Sequence, residues 1–322
     1  MIRPTAHVRA LATALFVTVL WSSSWILIRA GLDDEHVAPV TFAGLRYAMA
    51  AVVLLAWIAA RREHRDEVAA LDAQSFRRLA VLGVVFVAIT QGAQFVAIDN
   101  QPAATTSLVL APTALLVGAV SARLIGEAPQ RRQLVGTALL AVGAGIYFSG
   151  DLGATRLGMT AALIGLGANV TGALLGRSIN RRADVAPVVV TGVSMSVGAT
   201  LLVAGGFVVE GPPTLSLRLI AIIAWLAVVN TALAFTLWNQ SQRHLTAVES
   251  AAINNTMLVQ IAALAWLFLD EPPGHVAAAG IVVVTAGAYL ATTAPRTTRR
   301  RPKREAPLNT EDRGRGGTTP AP

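Results

Sequence analysis

Apolar residues fill this chain in blocks of about 20, the length of helix that crosses roughly 30 Å of hydrocarbon. Short polar links separate them. The blocks centre near residues 20, 49, 88, 114, 141, 167, 198, 229, 258 and 284. One buried core helix can imitate such a block, but ten in series cannot. The pattern therefore predicts an all-α membrane protein of ten transmembrane helices. The longest link, from about Arg61 to Arg78, reads as a surface segment, so no soluble domain fits between the spans.

The blocks also repeat. "VAPV" begins at Val37 and again at Val185, each copy followed by a glycine (Gly44, Gly192) and preceded at equal spacing by Arg29 and Arg177. Later in each half, Glu127, Pro129, Gly136 and Gly143 recur 144 residues on as Glu271, Pro273, Gly280 and Gly287. The halves run over 9–150 and 156–294, five spans each. They lie between a short N-terminus, 1–8, and a tail, 295–322. An odd number of spans per half inverts the second copy in the membrane. The charges agree: 22 of the 26 basic residues fall on one side. The opposite links read "LDDEH", "DNQP" and "DEPPG". The positive-inside rule then predicts both termini in the cytoplasm. The near-total preference for Arg (Lys303 is the one Lys), with abundant Ala and Val, reads as a bacterial chain, hence a multi-pass inner-membrane protein. Inverted repeats are an architecture of secondary transporters, whose substrate site lies near mid-membrane where the halves meet.

Composition sharpens this picture. Hydrophobic residues make up 54% of the chain and charged ones only 14%, too few to wet a soluble surface of this size. Of the net charge of +8, the tail supplies +5 from eight basic and three acidic residues. A basic tail beside a last span points to anionic lipid rather than nucleic acid, and its Arg, Thr, Pro and Gly predict disorder. The absence of cysteine rules out disulfides, thiol catalysis and thiolate metal sites. The first apolar run resembles a signal peptide, but it is too long and no small-x-small site follows it. It reads as an uncleaved first span.

Ten spans in an inverted five-plus-five, with "LWSSSWILIRAGL" in the first, "PVTFAGLRYAMAA" in the second and "GE-x-P" joining the fourth and fifth, resemble the drug/metabolite transporter superfamily, EamA-like branch. The resemblance covers all but the tail. It implies export or exchange of small metabolites, amino acids or drugs through a central cavity, lined by spans 1–4 and 6–9. Two features depart from the pattern: the second "GE" is "DE" here, and Ser194 stands where a second copy of Arg46 would be.

Polar groups inside hydrocarbon mark the candidate substrate path. Arg46 lies seven residues past Pro39, roughly 11 Å along the helix. It could grip an anionic solute as a two-point fork or bind carbonyls of its own protein. Trp21, Ser24 and Trp25 form a stripe on the first span. Ser24 could equally bond its own helix, and Trp25 could anchor at the interface. Gln91 and Gln94 share a face of span 3, Asn230 and Trp238 a face of span 8, and Asn169 sits in mid-span 6. Asn254 and Asn255 point about 100° apart, so one is expected on the path and the other between helices. Glu249 is the one intramembrane carboxyl that could couple transport to protons, yet "TAVE" also spells a capping box. Glu127 and Glu271, with Pro129 and Pro273, read as structural junctions where a helix start favours negative charge. Gly136/Gly143 and Gly280/Gly287 read as close-packing faces. No acid–His pair, metal cluster, nucleophile elbow or phosphate loop lies in any span, so neither an enzyme nor a cofactor is expected. A small-molecule substrate is; the oligomeric state, a homodimer included, is open.

Overall fold

The computed structural model describes residues 4–29, 37–149, 153–269 and 274–293. Glu271, Pro273 and the basic tail lie outside them. Among the described residues the chain is helical, without strands. The first half comprises α1 (Pro4–Arg29), α2 (Pro39–Ala60), α3 (Arg62–Ala69), α4 (Ala73–Asn100), α5 (Ala103–Leu110), α6 (Thr113–Ile125) and α7 (Arg131–Tyr147). The second comprises α8 (Arg156–Asn180), α9 (Pro187–Val209), α10 (Leu217–Ser241), α11 (Ala247–Asn255), α12 (Met257–Leu269) and α13 (His275–Thr292).

Among the described residues, eight segments are long and apolar enough to cross a membrane. The fifth apolar block, α7, is a shorter helix of 17 residues. The ninth is divided at Thr256 into α11 and α12, of 9 and 13 residues. Block four is divided as well, between α5 and α6, where Pro112 removes a backbone donor. The two breaks touch, because Asn255 Nδ2 donates to the carbonyl of Ala111 at 2.9 Å.

The two "VAPV" junctions each start a helix with proline in its first turn, where the missing N–H costs no bond. Neither start has a capping side chain of its own. Acids from elsewhere supply the acceptors. Glu210, just past the end of α9, accepts from Val40 N (3.1 Å) and Thr41 N (2.7 Å) at the start of α2. Glu67 in α3 accepts from Ala186 N at the start of α9. Between these ends α2 and α9 run antiparallel in close contact. A Cβ on Gly44 would lie 2.9 Å from Val203 N, and one on Gly206 2.8 Å from the Thr41 backbone.

α7 and α13 pack the same way. A Cβ on Gly136 would lie 2.6 Å from the Gly287 carbonyl oxygen, and one on Gly143 2.7 Å from Val284 N. A Cβ on Gly280 or Gly287 would likewise lie 2.6 Å from Tyr147 N or the Gly136 carbonyl oxygen, so these helices meet backbone to backbone. Apolar side chains from α2, α4, α9 and α10, among them Tyr47, Leu54, Val87, Met195 and Phe235, fill one interior. Val117, Leu140, Leu174, Val248 and Val284 fill a second, between α6, α7, α8, α11 and α13.

Candidate functional site

Among the described residues two helices are locally widened, and the candidate site is built around one of them. α4 takes a π-helical turn at Gly83–Ile89 and α10 another at Val228–Leu233. In each, a threonine hydroxyl donates to the carbonyl five residues back: Thr90 to Val85 and Thr231 to Leu226, both at 2.8 Å. Such turns reorient backbone and side chains locally and are frequent at functional sites.

Arg46 reaches the turn in α10. Its Nε donates to Thr231 Oγ1 at 2.8 Å and a terminal nitrogen donates to the Asn230 carbonyl at 3.4 Å. That carbonyl also accepts from Trp21 Nε1 at 3.1 Å. Asn230 in turn donates through Nδ2 to the Leu20 carbonyl and to Ser23 Oγ, while its buried Oδ1 finds no partner among the described residues. Trp21, Arg46 and Asn230 are thus one constellation joining α1, α2 and α10. Arg46 is only 5% exposed, and no carboxylate lies within ion-pair distance of it among the described residues. Its guanidinium has five donors, of which two are used.

Aromatic rings continue from this point. Trp21 meets Phe235 and Trp238, each at 5.1 Å between centroids. Phe235 also meets Tyr47 and Phe86 at 6.0 Å. Ser24 is buried, but its hydroxyl donates to the Trp21 carbonyl of its own helix at 2.6 Å, which leaves it little to offer a solute. The side chain of Trp25 lies outside the described residues.

The remaining amides divide into pinned and unpinned. Gln91, Gln94, Asn169 and Asn254 are half-buried, and none makes a side-chain hydrogen bond among the described residues. Gly165 of α8 packs on Ala93 and the Gln94 backbone of α4, and Asn169 stands one turn further along α8. Asn255 takes the interhelical role through its bond to Ala111, while its neighbour Asn254 is unpinned.

Glu249 closes its capping box. Its carboxylate accepts from Thr246 N at 2.7 Å, and Thr246 Oγ1 accepts from Glu249 N at 3.2 Å. Glu127 lies between α6 and α7, two residues before the half-buried Pro129. It does more than mark a junction. One oxygen accepts from Arg177 Nε at 2.8 Å, the other from Ala247 N at 3.0 Å.

Sequence reasoning missed a further network, which joins α8, α9 and the end of α10. Asn180 Nδ2 donates to Asn239 Oδ1 (2.7 Å) and Gln242 Oε1 (3.2 Å), and Asn239 Nδ2 donates to Thr191 Oγ1 (2.9 Å). Beside it lies a cavity of about 10 Å³, bordered by Phe86, Thr191, Ser194, Met195, Phe235 and Asn239. That is room for one water at most. These amides stand at helix ends, where "NQSQR" reads as an ordinary link.

Comparison with known proteins agrees with this picture. A family model described as "EamA-like transporter family" matches residues 8–149 and 157–293. A protein of Salmonella typhimurium described as "Probable amino-acid metabolite efflux pump" is 26% identical over 290 residues, covering 86% of this chain and 92% of that protein. A solved structure described only as "Crystal structure of protein" superposes with a TM-score of 0.72 at 19% identity. It covers 88% of this chain and 98% of its own, a likeness of fold alone.

Proposed function

The chain belongs to the EamA-like transporter family, and on that premise we propose that it exports a small carboxylate-bearing metabolite, an amino acid or a near relative of one, by alternating access. It is a multi-pass membrane transporter of small metabolites, not an enzyme. The observation that carries the proposal is a contrast inside the bundle. Among the described residues, Arg46 is buried with no acid beside it, and Gln91, Gln94, Asn169 and Asn254 are half-buried without side-chain partners. A packed helical core satisfies such groups internally, whereas a solute path keeps some of them for its cargo. Arg46 grips the carboxylate, the unpinned amides take the remaining polar groups, and the rings around Phe235 receive the apolar part. The efflux-pump relative supports an amino-acid-like cargo.

The path lies between two inverted halves of five spans, 9–150 and 156–294, with both termini in the cytoplasm of a bacterium. The basic asymmetry along the chain and the reciprocal antiparallel contacts of α2 with α9 and α7 with α13 support that arrangement. The test is uptake of labelled amino acids into inside-out vesicles carrying the purified protein. Saturable, competed flux is the expected result. Binding without flux would instead assign the chain a sensing role.

A further inference from the structure

We propose that His7 and Glu249 form a proton-binding site on the inner rim of the path, whose charge state sets how firmly the two halves are clasped there; "inner rim" rests on the transport reading above. The start of α11 collects two carboxylates. Glu249 is 2% exposed, and its Oε2 is taken by Thr246 N (2.7 Å) and Thr246 Oγ1 (3.1 Å). Its Oε1 lies 3.6 Å from Nε2 of His7, whose side chain is 20% exposed. Glu127 caps the same helix start through Ala247 N.

Cations arrive unevenly at these two acids. Arg177 Nε bonds Glu127 at 2.8 Å and the same guanidinium donates to the Gln242 carbonyl, while Arg181 stands 3.8 Å from the same Glu127 oxygen. Both arginines stand within ion-pair distance of Glu127, and the charge of Arg177 also acts on Glu249; the imidazole of His7 comes within 3.6 Å of the Glu249 carboxylate. The other elements packed on α11 bring Arg9 on α1, Arg123 on α6 and Arg131 and Arg132 on α7, all exposed to solvent. α12 has no ionisable residue and α13 carries His275 at its far end and the exposed Tyr289, while His244 precedes the capping Thr246.

His7 stands on α1, the helix that opens the first half, and Glu127 lies within that half, while Arg177, Ala247 and Glu249 belong to the second, so the cluster ties the halves together at one end of the bundle. A neutral imidazole cannot form an ion pair with a carboxylate; a protonated one can. Histidine is the side chain that changes charge in the cytoplasmic pH range. The clasp is therefore complete at lower pH and loosens as pH rises, which opens the inner side to cargo.

The test uses the cysteine-free full-length chain with Ser194→Cys, a position bordering the small cavity beyond the rim. Inside-out vesicles are treated with a membrane-impermeant maleimide between about pH 6 and pH 8, the range spanning ordinary imidazole titration. Labelling is normalised to Glu63→Cys, an exposed site on α3 that corrects for thiol ionisation. Relative labelling should rise up to about fivefold with pH, the ceiling for one partly exposed ion pair. The rise should vanish in His7→Asn and in Glu249→Gln, whose amide can still close the capping box. A flat profile in the parent, or the same rise in both variants, overturns the proposal. Solute flux plays no part in this readout. A rise in vesicles without flux would sink the transport reading and leave the proton site standing, and flux without a rise would do the reverse.

Discussion

Replacing Arg46 with alanine separates a side chain kept for cargo from one kept for architecture. In the structure it makes one good bond, 2.8 Å to Thr231 Oγ1, and one long bond, 3.4 Å to the Asn230 carbonyl. A hydrogen bond to a charged group contributes about 1.5–3 kcal/mol net. Against this stands the cost of a cation near a helix centre, about 2.5–3.5 kcal/mol on the insertion scale. The acceptors left behind are not orphaned, since Thr231 still donates to Leu226 and the Asn230 carbonyl still holds Trp21. The terms nearly cancel, so Arg46→Ala should fold, with thermal stability within about 4 °C of the parent. Transport should behave differently. If the guanidinium grips the cargo carboxylate, its loss removes a contact of about 1.5–3 kcal/mol, roughly a 10- to 150-fold drop in flux below saturation. Arg46→Lys keeps the charge but not the planar fork, and should fall between. The assay is flux of an amino acid and of its carboxyl amide into sealed vesicles at matched protein level. The amide, which offers no carboxylate, should be little affected by either change. Equal loss for both solutes, or a large fall in melting temperature, would refute the reasoning and make Arg46 a clamp on the π-helical turn.

The remaining predictions concern topology, packing and access. A fluorescent protein fused to the C-terminus should fluoresce and a periplasmic phosphatase there should be inactive; the reverse would sink the ten-span arrangement. Gly143→Ala should cost about 1–3 kcal/mol, because its Cβ would meet Val284 N at 2.7 Å. Gly167→Ala, which meets nothing within 4 Å, should be neutral or stabilising by up to about 1 kcal/mol; similar melting shifts for the two in detergent would contradict the packing argument. Single cysteines at Gln94 and Asn254 should react with a water-soluble thiol reagent, and one at the pinned Asn230 much more slowly. Inertness at both amide sites in a protein that still transports would remove them from the path.

Much of this molecule was legible from residues near one another in the chain. Apolar blocks place helices because hydrocarbon tolerates few other backbone conformations, and that demand is local. The prolines of the two "VAPV" junctions, the Thr246–Glu249 capping box and the glycine faces of α7 and α13 are likewise set within one or two turns. What the chain could not reveal is which distant groups meet. Arg46 was readable as either a fork or a clamp, because its partners stand 184 and 185 residues away in a helix whose local widening has no sequence signature. Asn254 and Asn255 were interchangeable until the break between α5 and α6 was placed beside one of them. The acids Glu67 and Glu210 looked like ordinary link residues, yet each caps a helix start more than 100 residues distant. Asn180, Asn239 and Gln242 read as polar ends, and only folding buries them together. Hydrogen bonds act over about 3 Å. Position along one helix determines which face a side chain occupies, but only the packing of helices from both halves brings a donor within that distance of its acceptor.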